Sequence, residues 1–184
     1  MFENILCEEY PIIILTETWL SDGFFDSEFI DDRYCVFRKD RSVEVTSMSR
    51  GGGVLIAVLK SLCSHQLDID TKNREELWIN VTISNKSLIL GTAYIPPKSP
   101  IEIYADHCAS MEFIVSSHPE STVLVVGDFN LPSTKWICSD VGSGLSPVCG
   151  SRNCDAVFCD SYVFSGFGQY NPHPNGAGSI LDLV

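Results

Sequence analysis

Basic residues are scarce in this sequence of 184 residues. Twelve Lys and Arg stand against twenty-four Asp and Glu, and the formal net charge is −12. The chain as a whole therefore lacks the long-range attraction to nucleic acid or to an anionic membrane that a basic surface supplies. If the protein acts on DNA, it must do so through a local site.

Long apolar runs and targeting signals are also missing. No apolar run approaches the roughly 20 residues that a membrane span needs, and the acidic amino terminus, MFENILCEEY, does not resemble the basic start of a signal peptide. None of the eight cysteines forms a C-x-x-C pair, which argues against a zinc ribbon or a thioredoxin motif. We expect an intracellular protein with reduced thiols and no membrane partner, located in the nucleus if it acts on chromosomal DNA.

The composition is that of a globular protein, with 45% hydrophobic and 20% charged residues. The length favours a single domain over residues 1–184. Short apolar runs predict strands, and a change to helical spacing predicts two helices. The predicted strands are 12–15, 54–58, 77–83, 87–94, 123–127 and 180–184, the predicted helices are 100–117 and 156–163, and a loop is expected over 139–151. Strand 77–83 alternates and should have one partly solvated face.

The two ends of the sequence predict an incomplete domain. The chain stops inside the apolar run 180–184, and only a short segment precedes the first strand. An unfinished strand leaves an unpaired sheet edge. We therefore expect this sequence to be a piece of a larger unit.

Polar residues follow three of the predicted strands. Glu17 follows the first strand, Asp128 and Asn130 follow strand 123–127, and Asp182 interrupts the last one. Converging carboxylates suit Mg²⁺, which prefers a few hard oxygen ligands. Taken singly, Glu17 also fits a cap or turn residue and Asp128 fits turn chemistry. Asp182 is harder to explain structurally, because a carboxylate in an apolar strand costs several kcal/mol unless it is paired.

Several motifs together resemble a known family, and they span nearly the whole chain. They are TETWL at 16–20, YIPP at 94–97, GDFN at 127–130 and ILDLV at 180–184, with YCVFRKDR at 34–41, GGGVLIAV at 51–58 and Gln169, Asn171 and Asn175 between them. Their order resembles the endonuclease/exonuclease/phosphatase family, and within it the apurinic-endonuclease-like domain of non-LTR (LINE-type) retrotransposons. The resemblance implies an α/β fold, a four-layer α/β sandwich with two mixed β-sheets packed face to face and helices outside.

The same resemblance implies hydrolysis of DNA phosphodiester bonds with Mg²⁺, or Mn²⁺ in its place. Glu17 matches the metal-binding glutamate, and Asp128 matches the aspartate that activates the attacking water. Asn130 matches an amide that positions the phosphate or that aspartate, and Tyr94 matches a tyrosine that contacts the phosphate. Asp182 matches the aspartate that orients a catalytic histidine. Asn171, Asn175, Arg38 and Arg41 are further candidates for substrate contact, although a solvated loop explains the basic cluster around Arg38 and Arg41 at least as well.

Two parts of the family pattern are missing from this sequence. The catalytic histidine belongs to a Ser-Asp-His motif on a later strand, and an asparagine belongs to a strand before Glu17. Neither is found, and the four histidines present do not replace the first. We expect the truncation at both ends to impair activity, by roughly 10³-fold for the histidine alone.

Three functions stay open on the sequence alone. The first is the endonuclease domain of a retrotransposon, truncated and of doubtful activity, with a reverse transcriptase domain as a partner in a longer chain. The second is a phosphatase or phosphodiesterase of the same fold. The third is a non-catalytic remnant or interaction module, which the acidic balance favours.

Overall fold

The computed structural model describes residues 9–42, 51–71, 74–138, 144–176, 178–180 and 182–184. Ten strands and two α-helices lie in these residues. The chain divides into two compact units, Met1–Tyr94 with Glu120–Leu124 and Ile95–Pro119 with Val125–Val184. Each unit is described by itself.

The first unit contains a three-stranded antiparallel sheet. Its strands are β1 (Ile12–Thr16), β2 (Tyr34–Lys39) and β3 (Val54–Leu59), in the order β1-β3-β2. Strand β3 lies in the middle, and Ile56 is opposite Ile14 on one side and Phe37 on the other. A central strand is covered on both faces, which is why β3 is a continuous apolar run whose first five residues are all buried.

A second antiparallel group in this unit consists of β4 (Cys63–Gln66), β5 (Glu75–Ile83) and β6 (Lys86–Tyr94). Ser84 and Asn85 connect β5 to β6, and both have positive φ, at 49° and 63°. Two positive φ values in a two-residue loop define a type I′ turn, which suits a tight hairpin. The start of β7 (Thr122–Asp128) lies beside β6, where Ser121 donates a hydrogen bond to Ser87 at 2.7 Å.

The two groups of strands in the first unit pack face to face. One apolar cluster joins alternate residues of β3 to alternate residues of β5 and β6: Val54, Ile56, Val58, Leu77, Ile79, Val81, Leu90 and Tyr94. The other face of β3 is covered by Ile30 and Tyr34, with Leu20 and Phe29 packed against them. Period-two alternation of buried side chains on β3 therefore builds two core layers from one strand.

The second unit contains both helices. Helix α1 (Ile101–Ser117) packs against helix α2 (Asn153–Phe164), and the Cys108 thiol approaches the carbonyl of Val157 at 3.9 Å. Strands β8 (Lys135–Cys138) and β9 (Leu145–Val148) form an antiparallel pair, and β10 (Asp182–Leu183) pairs with the end of β7. The rings of His107, Phe129, Phe158 and Tyr162 are buried and pack against one another in sequence, with centroids 5.1–5.8 Å apart.

The structure confirms the predicted fold class, because face-to-face sheets and two helices make a mixed α/β sandwich. The six predicted strands and both helices are found, although only residues 182–183 of the last predicted strand are in β10 and residue 181 lies outside the described residues. Division into a single domain stays a prediction. No helix in the described ranges is long and apolar enough to cross a membrane, and the seven cysteines described are all free.

Two details of the sequence-based prediction were wrong. Residues 145–148 of the expected loop form strand β9, where Pro147 is tolerated because a two-stranded sheet has only edge strands. Helix α2 begins at Asn153 rather than at residue 156. The partly solvated face that we expected on strand 77–83 is found towards its end, where Asn80 is half-buried and Thr82 is exposed. Residues 139–143 of the predicted loop lie outside the described residues.

Candidate functional site

Glu17 is placed in the turn that follows β1. Its side chain is exposed and has no hydrogen bond or ion pair to the described residues. The backbone at Glu17 and Trp19 has positive φ, 52° and 58°, which is uncommon outside glycine. The Thr18 N–H donates to the carbonyl of Gly53 at 3.2 Å, and the Trp19 N–H donates to that of Gly52 at 2.9 Å. The strained turn is thus held by the glycine segment, and the carboxylate is left accessible.

Gly52 and Gly53 in turn depend on a buried glutamate. The Gly53 N–H donates to Oε2 of Glu75 at 2.8 Å. Both glycines have positive φ, at 72° and 85°. A Cβ at Gly52 would collide with the carboxylate of Glu75 and the guanidinium of Arg41, and a Cβ at Gly53 would meet Thr18. Only glycine therefore lets this backbone pass between the Glu17 turn and Glu75.

Glu75 is also bound by Arg41, at 2.5 Å between Nε and Oε1, and both side chains are less than a tenth exposed. Burial lowers the pKa of Arg41, but the hydrogen bond that it donates to Glu75 and the charge of that carboxylate, with a smaller contribution from Tyr94, together raise the pKa overall. The guanidinium carbon lies 5.7 Å from the centroid of the Tyr94 ring, within cation–π range. Glu17, Arg41, Gly52, Gly53, Glu75 and Tyr94 thus form one connected group, which we call the Glu17 cluster.

Arg38 lies outside this cluster and has acidic partners of its own. It forms ion pairs with Asp26 at 3.1 Å and with Asp40 at 3.4 Å, and it donates to the carbonyl of Phe24 at 3.0 Å. Arg38 and Arg41 are therefore both paired within the protein. Contact of Arg38 and Arg41 with DNA phosphates stays a prediction. Because each arginine is already paired with a carboxylate, a phosphate would have to share the arginine with that carboxylate.

In the second unit, Asp128 and Asn130 form a cross-linked turn with Ile95. The Asn130 N–H donates to Oδ1 of Asp128 at 3.1 Å, which is an Asx turn. The Asn130 side-chain amide donates to the carbonyl of Ile95 at 3.0 Å, and the Ile95 N–H donates to the Asp128 carbonyl at 2.9 Å. Asp182 lies directly opposite Asp128 in the pairing of β10 with β7. We call Ile95, Asp128, Asn130 and Asp182 the Asp128 cluster.

Two polar side chains support this turn, Tyr104, which is buried, and Arg152, which is partly exposed. The Tyr104 hydroxyl donates to the carbonyl of Phe129 at 2.9 Å, and burial raises the pKa of Tyr104 to about 12. Arg152 donates to the carbonyl of Asn130 at 3.1 Å and is itself bound by Asp155 at 2.7 Å. The turn is therefore fixed from the helices α1 and α2 of its own unit.

The side chains of Gln169, Asn171 and Asn175, which precede β10, accept hydrogen bonds from backbone N–H groups. Oε1 of the fully buried Gln169 accepts hydrogen bonds from the N–H groups of Val184 at 2.7 Å and Tyr170 at 2.9 Å. Oδ1 of Asn171 accepts from the N–H of His173 at 3.0 Å, and Oδ1 of Asn175 accepts from that of Ser179 at 3.0 Å. These bonds give Asn171 and Asn175 a role in loop structure, and their contact with substrate stays a prediction.

All four histidines lie in the described residues, each in a setting of its own. His107 is 1% exposed and packs against the rings of Phe129 and Phe158. His118 ends helix α1, where Nδ1 is 3.2 Å from the carbonyl of Ile114. His65 is exposed on β4, and His173 is exposed between two prolines. His107 thus has a packing role, and none of the four lies within either cluster.

The predicted site residues therefore fall into two groups. Glu17 and Tyr94 belong to the Glu17 cluster, and Asp128, Asn130 and Asp182 belong to the Asp128 cluster. That all five meet at one site stays a prediction. Among the described residues, no group of three or more His, Cys, Asp or Glu is arranged to hold a metal ion.

Sequence reasoning missed Glu75, Arg152 and Asp155. Glu75 had a usable signal, because Glu75 and Glu76 open a largely apolar strand and buried carboxylates in such strands need partners. Arg152 and Asp155 gave none, since their short spacing occurs in many exposed helix starts.

Comparison of this chain with known proteins shows its fold but not its family. No protein-family model matches the sequence, and no curated protein matches it. Among solved structures, the endonuclease domain of TRAS1, a telomere-specific non-LTR retrotransposon, is similar with a TM-score of 0.64 and 13% identity, over 98% of this chain and 74% of that one. The human Nocturnin catalytic domain with bound sulfate has a TM-score of 0.55 and 13% identity, over 98% and 70%. D. rerio TDP2 complexed with a single-strand DNA product has a TM-score of 0.50 and 19% identity, over 70% and 51%.

These structures share the endonuclease/exonuclease/phosphatase fold, and this chain has that fold. The fold that the sequence motifs implied is therefore confirmed. At these sequence identities the similarity shows the fold alone. The chemistry of this chain depends on the residues of its two clusters.

Proposed function

We propose that this chain is the endonuclease domain of a non-LTR retrotransposon, hydrolysing phosphodiester bonds of DNA with Mg²⁺. The observation that carries the proposal is the Asp128 cluster, in which the Asn130 N–H binds the Asp128 carboxylate and Asp182 is the register partner of Asp128 in the strand pair. Two acidic residues at directly opposed register positions bring no structural advantage, because like charges opposite each other destabilise a sheet. A functional reason explains them better.

In this proposal Asp128 takes the proton from the attacking water. A general base must be held within hydrogen-bond distance of the proton that it accepts, and the N–H of Asn130 fixes the carboxylate for this purpose. The side-chain amide nitrogen of Asn130 is engaged by the carbonyl of Ile95. The side-chain amide thus holds the turn through Ile95, and its contact with the phosphate or with the Asp128 carboxylate stays a prediction.

Glu17 is the proposed metal ligand. Its carboxylate fits Mg²⁺, because it is an exposed hard oxygen donor with no partner among the described residues. Mg²⁺ is often held by one or two carboxylates together with substrate phosphate and water. When bound, it would polarise the scissile phosphate and stabilise the leaving oxygen.

Tyr94 and Arg41 make the Glu17 cluster suitable for a phosphate. Tyr94 is 7% exposed, and its ring lies 5.7 Å from the guanidinium carbon of Arg41, whose charge is shared with Glu75. A hydroxyl donor aimed at a developing oxyanion stabilises the transition state. In this proposal both clusters act in one reaction. Its substrate is chromosomal DNA in the nucleus. Its partner is a reverse transcriptase domain in a longer chain.

Substrate profiling tests the proposal against a phosphatase of the same fold. The 184-residue chain is incubated, in excess, with supercoiled plasmid, with p-nitrophenyl phosphate and with an inositol polyphosphate, in Mg²⁺ and in EDTA. We expect slow nicking of plasmid in Mg²⁺ only and no phosphate release from the monoesters. Release from the monoesters without nicking would favour the phosphatase. Inactivity on every substrate, together with no binding to DNA, would favour the non-catalytic module.

A further inference from the structure

Helices α1 and α2 form a groove that no part of the proposed function uses. Its volume is about 480 Å³. From α1 it is lined by Ala105, Cys108, Ala109 and Glu112. These residues have the spacing i, i+3, i+4 and i+7, so they form one stripe along the helix. The small side chains of Ala105, Cys108 and Ala109 leave open space along this side of the groove.

The α2 side of the groove has the same spacing. It is lined by Val157, Asp160, Ser161 and Phe164. The Ser161 hydroxyl donates to Oε1 of Glu112 at 2.6 Å, which joins the two stripes. Each stripe is about 10 Å long, since seven residues rise 1.5 Å each. Two such stripes side by side form a groove that is long enough to bind two turns of a third helix.

The surface around the groove is unusually apolar for a solvated face. Phe164 is 85% exposed, Val163 is 59% exposed and Phe113 is 56% exposed. Large contiguous apolar patches with a polar rim mark interaction sites. The occupant should therefore bring apolar side chains of its own.

Charge identifies the occupant further. Neither helix contains a lysine or an arginine, whereas four acidic residues are exposed on them: Glu102, Asp106 and Glu112 on α1 and Asp160 on α2. This surface repels nucleic acid and anionic membranes and attracts cations. We propose that the α1–α2 groove binds a cationic amphipathic helix of a partner protein, with apolar anchors at i, i+3, i+4 and i+7 and Lys or Arg on its flanks.

The test uses three labelled synthetic peptides and fluorescence anisotropy with the 184-residue chain. The first is a 15-residue helix with Leu at the anchor positions and Lys or Arg on the flanks. The second has the same composition in scrambled order, and the third has Glu in place of the basic residues. We expect the first to bind at least tenfold more tightly than the other two. Equal binding of the scrambled peptide would overturn the proposal, because charge alone would then account for it.

Two variants locate the binding site. Ala109→Trp fills the groove, and Ser117→Trp places the same side chain at the exposed last residue of α1. We expect Ala109→Trp to weaken binding of the amphipathic peptide at least tenfold and Ser117→Trp to leave it unchanged. Asp160→Lys reverses one charge of the rim and should weaken binding without filling the groove. Circular dichroism and the melting temperature verify that each variant is folded. Undiminished binding by folded Ala109→Trp and Asp160→Lys would contradict a site in this groove.

Discussion

Glu75 holds the backbone of Gly53 in place, because its Oε2 accepts the Gly53 N–H at 2.8 Å. Its other oxygen binds Arg41 at 2.5 Å. The carbonyls of Gly52 and Gly53 then hold the turn that carries Glu17. A buried carboxylate thus positions an exposed one through the backbone of two glycines. Two predictions follow from this arrangement.

Gly52→Ala should destabilise the protein more than Gly166→Ala. Both positions have positive φ, 72° and 75°, so both variants carry a backbone cost of about 1–2 kcal/mol. A Cβ at Gly166 meets nothing within 4 Å, whereas one at Gly52 meets the locked ends of Glu75 and Arg41. Overpacking should add about 1–3 kcal/mol to the Gly52→Ala cost. Urea unfolding of both variants measures the difference, and equal losses would show that the contact is unimportant.

Glu75→Gln should cost about 3–5 kcal/mol of folding free energy, because it leaves the Arg41 charge buried without its partner. The exposed fraction of the Arg41 side chain is only 8%, so water cannot replace the carboxylate. Glu120→Gln is the matched control, since Glu120 is exposed and should change stability by less than about 0.5 kcal/mol. Chemical denaturation compares the two variants. A loss at Glu75 no greater than that at Glu120 would mean that Arg41 is not committed to this pair.

Asp155 should make stability depend on pH in the acid range. Burial raises the pKa of Asp155, but hydrogen bonds from Arg152 and Ser133 outweigh it, so the pKa lies below its usual 3.8. A carboxyl with a lowered pKa in the folded state stabilises the protein above the unfolded pKa, and this stabilisation is lost as the pH falls through the folded value. The stability difference between the parent and Asp155→Asn should therefore be constant from about pH 7 to 5 and shrink below about pH 4. A difference that is independent of pH down to 3 would contradict this assignment.

The sequence predicted the strands well where the physical signal was strong. Apolar runs such as 54–58 occur only where both faces of a strand are covered, and β3 is such a strand. Strand β9 was missed because Ser146 and Pro147 favour a loop, and only its pairing with β8 overrides that local preference. Tertiary pairing of this kind is not encoded within a single short segment.

The candidate site was predictable in part for a similar reason. Glu17 and Asp128 were identified as candidates because polar residues at strand ends interrupt an apolar pattern, and their role in catalysis stays a prediction. The residues that hold the two turns in place, Arg152 and Glu75, were missed. Arg152 donates to the carbonyl of Asn130, which is twenty-two positions away in the sequence. The link from Glu75 to Gly53 is equally distant in sequence. Contacts of this kind depend on the folded chain and leave no local pattern.

The most direct test of the proposed function is single-turnover nicking of supercoiled plasmid by the parent chain, Glu17→Gln, Asp128→Ala and the control Glu120→Gln, with protein in excess over DNA. We expect slow nicking by the parent in Mg²⁺ but not in EDTA, the same rate for Glu120→Gln, and a loss of at least about 10²-fold for each of the other two variants, as for removal of one transition-state contact. Circular dichroism verifies that all four proteins are folded. Nicking by folded Glu17→Gln and Asp128→Ala at the parental rate would contradict the assignment of both clusters to one hydrolytic reaction.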